Sequence, residues 1–224
     1  MTREKVIILD VDHTLTVHNS WTELTRALGA STEDHLELHK SLIDHKIELD
    51  EANRRLVRLW QHTGKANRDF VDRTFREMPL KTEARLLVEW LALNGYRTCL
   101  ISGSMDRYVS AVAAHLGIQD WFANGRLLFD EQDQLVGLKY RPDQSVVKLE
   151  QLRELCAHVQ VDTTDTVVVG DGENDLNIFK ETRRGILVST NPIPDLQRAA
   201  WMIVPNLRDI PAILEANSTS PSTH

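Results

Sequence analysis

The amino-terminal part of the chain is a short apolar run that ends abruptly in acidic residues. Residues 6–9 read VIIL, and Asp10 and Asp12 follow at once within the stretch KVIILDVDHTLT of residues 5–16. An unbroken, mostly β-branched run of this length is typical of a strand that is buried on both faces of a parallel sheet. The pattern therefore predicts an α/β core whose first strand carries Asp10 at its carboxyl end.

Two later apolar runs repeat this pattern. Residues 96–101 (YRTCLI) predict a second buried strand that runs into Ser102 and Gly103, and residues 166–170 (TVVVG) predict a third that runs into DGEND at 171–175. In an open α/β sheet, ligands bind in the crevice outside the carboxyl ends of the strands. The polar residues that follow these strands are therefore candidates for a functional site.

A long helical pattern separates the first two predicted strands. Apolar residues recur at helical spacing over residues 17–80, with breaks near Gly29 and Gly64 and an end at Pro79. A right-handed crossover between parallel strands needs only one helix. The length of the segment therefore favours an inserted, all-helical cap domain over residues 17–80. The alternative is that these are crossover helices packed on the sheet.

The rest of the chain alternates between helical and strand patterns. The alternation predicts helices over residues 82–94, 105–116 and 146–159, a β-hairpin formed by residues 126–130 and 134–140, and strands over residues 185–188 and 200–204. A core domain over residues 1–16 and 81–214 follows from this order. Residues 215–224 are poor in apolar side chains and rich in Ser and Thr, so we expect a disordered tail there.

Composition narrows the class of partner. A formal net charge of -7 argues against nucleic acid or an anionic membrane as the main partner. It is compatible with a small phosphorylated metabolite, because a metal and local cations can hold a phosphate. The chain shows no signal-peptide pattern and no apolar run of membrane-spanning length, so we expect a cytoplasmic protein, either monomer or homodimer. Cys99 and Cys156 lie in apolar patterns and are expected to be buried thiols.

The paired carboxylates call for a counter-charge. Asp10 and Asp12 are two residues apart, so both leave the same side of an extended strand, and like charges at close range repel. Either a divalent cation lies between them or one of them keeps its proton. Asp171 and Asp175 share a tight turn after a buried strand, which is costly unless a cation or hydrogen-bond donors neutralise them.

The motifs at these strand ends resemble those of a known family. Asp10-Val-Asp12-His13-Thr14-Leu15 resembles the first motif of the haloacid dehalogenase (HAD) superfamily, and GDGEND of residues 170–175 is similar to its last motif. The order of the motifs is most similar to the phosphoserine phosphatase-like branch. The resemblance implies a Rossmann-like α/β fold, with a three-layer core around a parallel sheet and an inserted all-helical cap domain of the C1 type.

The resemblance also implies a reaction. A small phosphomonoester would be hydrolysed with Mg2+ through an aspartyl-phosphate, with Asp10 as the nucleophile, Asp12 as the general acid and base, and Lys148 as a positive charge beside the transferring group. Mg2+ would be held by the Asp10 carboxylate, the Asp12 backbone carbonyl and Asp171, while Asp175 would orient a metal-bound water. The residues implied to bind phosphate, order its loop or share the water-orienting task are Thr14, Ser102, Gly103 and Asn174.

In this branch, the cap would decide which alcohol carries the phosphate of the substrate. The resemblance implies that Arg54, with Arg55 as a near rival, meets the substrate carboxylate. Asn19 occupies the position of the glutamate that meets the substrate ammonium, and Ser104 stands where the branch has a second glycine. These departures leave the identity of the phosphomonoester open. His13 replaces a usually small residue, and we expect it to point away from the phosphate or to shape the loop.

Two further interpretations stay open beside the hydrolase. A phosphotransferase would pass the phosphoryl group from Asp10 to an alcohol acceptor, and no sequence feature separates it from a hydrolase. A non-catalytic phosphate-binding relative would keep the fold without the reaction. Such a protein has no use for a protonatable Asp12, which argues against this last interpretation.

Overall fold

A seven-stranded sheet forms the middle of the computed structural model, which describes residues 5–218. Its strands are β1 (Lys5–Leu9), β2 (Tyr96–Met105), β3 (Asp120–Phe129), β4 (Leu135–Lys139), β5 (Val167–Gly170), β6 (Gly185–Val188) and β7 (Met202–Val204). They lie in the order β4-β3-β2-β1-β5-β6-β7, and every neighbouring pair is parallel except β3 with β4. The predicted α/β fold with a parallel sheet is confirmed.

Helices cover the sheet and fill the long segment between its first two strands. In chain order they are α1 (Ser20–Leu28), α2 (Thr32–Ile43), α3 (Leu49–Gln61), α4 (Arg68–Glu77), α5 (Thr82–Leu93), α6 (Asp106–Leu116), α7 (Gln144–Val159), α8 (Leu176–Thr182), α9 (Pro194–Ala199) and α10 (Ile210–Ser218). Short 3-10 turns occur at Thr163–Asp165, Glu173–Asp175 and Leu207–Asp209. The helical pattern predicted after the first strand is present as α1 to α4.

The sheet is buried on both faces, as the apolar run of residues 6–9 predicted. Ile7 packs into a cluster that includes side chains of α5, α6 and α10, whereas Ile8 packs into a second cluster with α7, α8 and α9. Because successive strand residues point to opposite faces, a strand covered on both sides needs an apolar residue at every position. The two free thiols, Cys99 and Cys156, are buried in the second cluster, as expected.

The chain segment that contains α1 to α4 leaves the sheet after β1, and its two ends lie side by side. Thr16 and Leu80 pair as an isolated antiparallel bridge, and the Lys81 backbone N–H donates to the Leu15 carbonyl at 2.9 Å. Apolar side chains of these helices, including the fully buried Trp60, belong to the same cluster as one face of the sheet. The division into a core and a cap domain stays a prediction.

Two strands extend beyond their predicted bounds because they pair with each other. β2 continues to Met105 instead of ending at residue 101, and its pairing with β3 shifts register between Ser102 and Met105. β3 begins at Asp120, ahead of the predicted hairpin, since its first half lies parallel to β2. The long strand therefore carries the predicted turn residues within the sheet.

The carboxyl-terminal helix differs from the predicted tail. Residues 215–218 continue α10, where composition predicted disorder, because Ile210 and Leu214 bury one side of this helix. The remainder of the predicted tail, residues 219–224, lies outside the described residues. Among residues 5–218, no helix combines the length and apolar character needed to cross a membrane.

Candidate active site

Three neighbouring strand ends bring the predicted site residues together. Strands β2, β1 and β5 are adjacent and parallel, so Ser102, Asp10 and Asp171 meet at one edge of the sheet. The Asp10 backbone N–H donates to the Val169 carbonyl at 2.9 Å, which extends the pairing of β1 with β5. Asp10 is only 4% exposed. Its carboxylate therefore needs compensation from within the protein or from a bound cation.

A buried lysine bridges two of the acids. Lys148 lies near the start of α7 and is 1% exposed, and its Nζ is 3.0 Å from Asp10 Oδ1 and 2.6 Å from Asp175 Oδ1. Burial alone would lower the pKa of this ammonium group, but the two carboxylates outweigh it and raise the pKa above its ordinary value. Lys148 is therefore a lasting positive charge between Asp10 and Asp175.

The turn after β5 holds Asp175 in place. The Asp175 Oδ2 atom accepts hydrogen bonds from the backbone N–H groups of Asp171 and Gly172, at 3.2 and 3.3 Å. A side chain at Gly170 would overlap the Asp175 carboxylate. Glycine at this strand end thus allows the carboxylate to fold back over the turn, where it contacts Lys148.

The acid cluster fits a divalent cation. Asp10, Asp171 and Asp175 each offer one carboxylate oxygen, and these atoms lie within 4.8 Å of one another. Asp10 Oδ1 has no well-aligned hydrogen bond within the described residues, although Lys148 is close to it. Burial raises the pKa of Asp10 and of Asp171 above their ordinary values in spite of the Lys148 charge. The ionised cluster is therefore under-compensated, and oxygen ligands of this kind suit a hard cation.

The Asp12 carboxylate points to α1 instead of joining this cluster. It accepts two hydrogen bonds from Ser20, one from the backbone N–H at 3.0 Å and one from the hydroxyl at 2.7 Å. The Ser20 hydroxyl also contacts the buried hydroxyl of Ser104. Burial raises the pKa of Asp12 to about 7, although the bonds from Ser20 lower it. The part of the Asp12 backbone carbonyl as a metal ligand stays a prediction.

Hydrogen bonds order the loop that follows β1. The Thr14 hydroxyl donates to Asp171 Oδ1 at 2.9 Å. The Lys81 ammonium group donates to the Thr14 carbonyl at 3.0 Å and to the His13 carbonyl. His13 has a positive φ of 61°, and its Nδ1–H donates to the Val17 carbonyl at 3.1 Å. Thr14 therefore ties the loop to the acid cluster, and His13 shapes the loop.

The turn within β2 faces the start of α7 across the site. The Ser102 hydroxyl accepts a hydrogen bond from the Ser104 backbone N–H at 3.2 Å. The Asn174 side-chain amide donates to Gln144 Oε1 at 3.1 Å, and a side chain at Gly103 would overlap the same Gln144 amide. Asn174 Oδ1 has no hydrogen-bond partner in the described part of the chain. This acceptor remains available beside the acid cluster.

A cavity of about 560 Å³ separates the acid cluster from the helices that follow β1. One side, here named the acid wall, includes Asp10, Asp12 and Asp171. The opposite side, here named the helical wall, is formed by α1, α2 and α3 and includes Leu42 and Leu56. Acidic side chains therefore line one side of the cavity, and helical residues that include leucines line the other.

Comparison with known proteins assigns the family. The family model of haloacid dehalogenase-like hydrolases matches residues 7–180. The chain belongs to this family. Phosphoserine phosphatase of Methanocaldococcus jannaschii is 25% identical to this hydrolase over 197 residues, which cover 85% of this chain and 88% of that protein.

Two other similarities agree with this family. Phosphoserine phosphatase of Streptomyces coelicolor is 25% identical over 194 residues, which cover 85% of this hydrolase but only 45% of that longer protein. The solved structure of a phospho-aspartyl intermediate analogue of phosphoserine phosphatase matches with a TM-score of 0.72 over 95% of this chain and 99% of that chain, at 23% identity. The structural match supports a common fold.

Arg54, which the resemblance implies for the substrate carboxylate, does not line the cavity of this hydrolase, and its role stays a prediction. Arg54 and its rival Arg55 are exposed on α3, and both pair with Glu51, at 2.9 and 2.6 Å. The same helix presents Asn53 and Leu56 to the cavity. At about 100° per residue, each arginine lies at least about 100° around the helix from both. The arginines are exposed to solvent and do not line the cavity.

Sequence reasoning missed three residues that support the site, namely Ser20, Lys81 and Gln144. Ser20 binds Asp12, Lys81 holds the loop after β1, and Gln144 fixes the Asn174 amide. Ser20 and Gln144 are the first residues of α1 and α7, directly after the caps Asn19 and Asp143, and polar residues at such positions are ordinary. The helix start only eight residues after Asp12 was the one local signal for Ser20. The other contacts join segments that are distant in sequence.

Proposed function

We propose that this hydrolase is a Mg2+-dependent phosphatase that cleaves a small phosphomonoester through an aspartyl-phosphate on Asp10. The observation that carries the proposal is the buried contact of Lys148 with Asp10, beside the oxygens of Asp171 and Asp175. Such a site combines a nucleophilic carboxylate with the positive charge that phosphoryl transfer needs. The relatives named above are phosphoserine phosphatases, which supports a phosphomonoester as the substrate class.

Asp10, Asp171 and the Asp12 backbone carbonyl would hold Mg2+, and Asp175 would order the water around it. The ion would supply charge neutralisation, so that a phosphate dianion can approach a nucleophile that is itself negative. The Thr14 hydroxyl bond to Asp171 and the two backbone bonds to Asp175 keep those carboxylates turned toward the cluster. The ligand set is thus ordered by its own hydrogen bonds.

In the first half of the reaction, a carboxylate oxygen of Asp10 attacks phosphorus, and the bond from phosphorus to the alcohol oxygen breaks. Asp12 gives its proton to the departing alcohol. Both hydrogen bonds from Ser20 hold the Asp12 carboxyl beside the cavity, away from the cation ligands. Lys148 offsets the negative charge beside Asp10 in this step.

In the second half, a water molecule attacks the phosphorus of the aspartyl-phosphate while Asp12 takes its proton. The bond between phosphorus and Asp10 breaks, so that inorganic phosphate leaves and the Asp10 carboxylate is restored. A group that first donates and then accepts a proton works best with a pKa near the operating pH. The raised pKa of Asp12, at about 7, meets this requirement.

The proposal extends to the partner and the location. A small phosphorylated metabolite, rather than nucleic acid or a membrane, is supported by the net charge of -7 and by a cavity of about 560 Å³ beside the acid cluster. The cytoplasmic location and the choice between monomer and homodimer stay predictions.

Phosphate release from a panel of phosphomonoesters, phosphoserine included, tests the proposal. We expect release by the wild type with Mg2+, little release with EDTA, and a loss of roughly 10⁴-fold or more in Asp10→Asn, the scale on which the loss of a nucleophile falls. Asp195→Asn is the matched control, because Asp195 is exposed and pairs only with the neighbouring Arg198. No release from any ester by the wild type with Mg2+ would overturn the proposal.

A further inference from the structure

The helical wall is apolar where the alcohol part of a substrate would rest. Helix α2 contributes Leu36, Leu38 and Leu42, and α3 contributes Leu56, beside the indole of Trp21 from α1. Leu36 remains 56% exposed, and removing such apolar surface from water is favourable. A ligand with apolar surface therefore gains binding free energy on this wall, and a small, polar ligand does not.

Polar groups on the helical wall are largely committed to the fold. Asn19 caps α1, and its Oδ1 accepts hydrogen bonds from the backbone N–H groups of Trp21 and Thr22, at 3.1 and 3.3 Å. His35 Nδ1 lies 2.7 Å from the buried Thr25 hydroxyl. Burial lowers the pKa of His35 to about 4, so this ring is neutral near pH 7. Apart from the amide of Asn53 and the exposed imidazole of His39, the polar side chains that this wall presents to the cavity are already paired within the described residues.

A substrate carboxylate would find no strong cation on this wall. Among the described residues that line the cavity there is no Lys or Arg, and the ionisable side chains from α1 to α3 are the imidazoles of His35 and His39. His39 is exposed, where ion pairs contribute little. Arg54 and Arg55 are bound to Glu51 and do not line the cavity. A carboxylate would lose hydration here without gaining a partner.

A substrate ammonium group would find no carboxylate on the helical wall. The acids that line the cavity are Asp10, Asp12, Asp171 and Glu173, all outside α1 to α3. Glu23, the acid nearest to Asn19 along the chain, contacts Arg26 and does not line the cavity. On the acid wall, Asp10, Asp12 and Asp171 are engaged with the phosphate, the cation and the proton transfer, and Glu173 is the exposed acid that remains. The zwitterionic end of an amino-acid phosphate is thus unmatched on the helical wall.

We propose that the alcohol part of the substrate is uncharged, mainly apolar and larger than the serine side chain, and that it rests against the leucines of α2 and α3. The protein then prefers phosphate esters of apolar alcohols to phosphoserine. A cavity of about 560 Å³ lies within the range of roughly 300 to 1,000 Å³ that suits ligands of this size. This inference rests on the proposed phosphatase function and names its substrate class.

Steady-state kinetics with Mg2+ test the preference. We expect kcat/KM for n-hexyl phosphate to exceed that for O-phospho-L-serine by at least about tenfold, the scale of discrimination that an apolar pocket supplies. Leu42→Gln should lower kcat/KM for hexyl phosphate by about tenfold and leave phosphoserine nearly unchanged. Ile43→Gln is the matched control, since Ile43 is the next residue of α2, is 61% exposed and does not line the cavity.

Binding of hydrolysis-resistant phosphonates separates this inference from the catalytic proposal. Calorimetry on the wild type with Mg2+ should give a Kd for n-hexylphosphonate at least about tenfold lower than that for 2-amino-4-phosphonobutanoate, the analogue of phosphoserine. Leu42→Gln should weaken only the binding of hexylphosphonate, and Ile43→Gln neither.

The outcomes distinguish the two proposals. Equal or faster hydrolysis of phosphoserine, tighter binding of the amino-acid phosphonate, or equal effects of Leu42→Gln and Ile43→Gln would overturn the substrate class and leave the phosphatase intact. A wild type that binds hexylphosphonate more tightly but hydrolyses no ester with Mg2+ would overturn the phosphatase while supporting the apolar character of the wall.

Discussion

The two walls of the cavity satisfy their polar groups in opposite ways. On the acid wall, Asp10 and Asp171 have a raised pKa because they are buried with less positive charge than they need. On the helical wall, Asn19 and His35 are paired within the fold, and leucine side chains also line the cavity. The acid wall can therefore bind a charged group, whereas the helical wall favours an uncharged one.

This difference separates reactivity from selectivity. A change on the acid wall should alter the hydrolysis of every phosphomonoester by a similar factor, because all of them place the same phosphate there. A change on the helical wall should alter the ranking of esters, because only the alcohol part reaches it. Substitutions on each wall, assayed with more than one ester, test whether the two walls act independently.

After the nucleophile itself, the largest expected effect comes from Lys148, which lies behind the acid wall. In Lys148→Met, Asp10 and Asp175 lose their buried cation, so we expect kcat to fall by about 10² to 10³-fold for hexyl phosphate and for phosphoserine alike. The free energy of unfolding should fall by about 3 kcal/mol, because two buried carboxylates remain without the partner they pair with. Phosphate release and urea unfolding at pH 7 measure the two effects.

The matched control for this change is Lys180→Met, since Lys180 is an exposed residue of α8. It should leave the rates and the unfolding midpoint close to those of the wild type. A Lys148→Met protein that slowed only one of the two esters would show that the walls are coupled. One with wild-type stability would contradict the ion pairs seen in the structure.

A smaller effect is expected at Ser20, which joins the two walls. Ser20 begins α1, yet its backbone N–H and its hydroxyl bind the Asp12 carboxylate. In Ser20→Ala the backbone bond to Asp12 remains, while the hydroxyl loses its bond to Asp12 and its contact with Ser104. We expect kcat to fall by about 10-fold with KM nearly unchanged, as for the loss of one bond to a charged group. Ser110→Ala, which removes a hydroxyl bond on α6 outside the cavity, is the control. A rise in KM without a fall in kcat would contradict a role in holding Asp12.

The acid wall could largely be predicted from the sequence. Asp10 and Asp171 directly follow strands whose apolar runs are unmistakable, and parallel strands bring their carboxyl ends to one edge. Lys148 was different, because a single lysine in a helix carries no local signal. Only the order of motifs in the family resemblance pointed to it, and the structure now places its ammonium group against Asp10 and Asp175.

The helical wall could not be predicted in the same way. The family resemblance implies Arg54 for the substrate from the sequence around it, yet the face that a helix turns inward depends on how its neighbours pack. Here Leu56, Val57 and Trp60 are buried, and their burial turns Arg54 to solvent. The Ser20 bond to Asp12 likewise depends on where α1 begins relative to the loop, which no local pattern fixes.

A buried imidazole of the helical wall is expected to make the stability of the protein depend on pH. His35 is 6% exposed, and burial lowers its pKa to about 4, with a further lowering by the His39 charge. An unfolded chain binds a proton at this residue below about pH 6.5. Between about pH 6.5 and pH 4, the unfolded state therefore binds more protons at this position than the folded state, and stability falls as the pH falls.

Replacing His35 by Gln should remove this dependence. Across that pH window, we expect the wild type to lose about 2 to 3 kcal/mol more of its free energy of unfolding than His35→Gln loses. Urea unfolding at several pH values gives the comparison, and because it compares slopes, a uniform loss of stability in the variant does not affect it. His158→Gln, at an exposed position of α7, should keep the wild-type slope. Parallel curves for wild type and His35→Gln would mean that the imidazole is hydrated in the folded protein, and the helical wall would then be more polar than its leucines indicate.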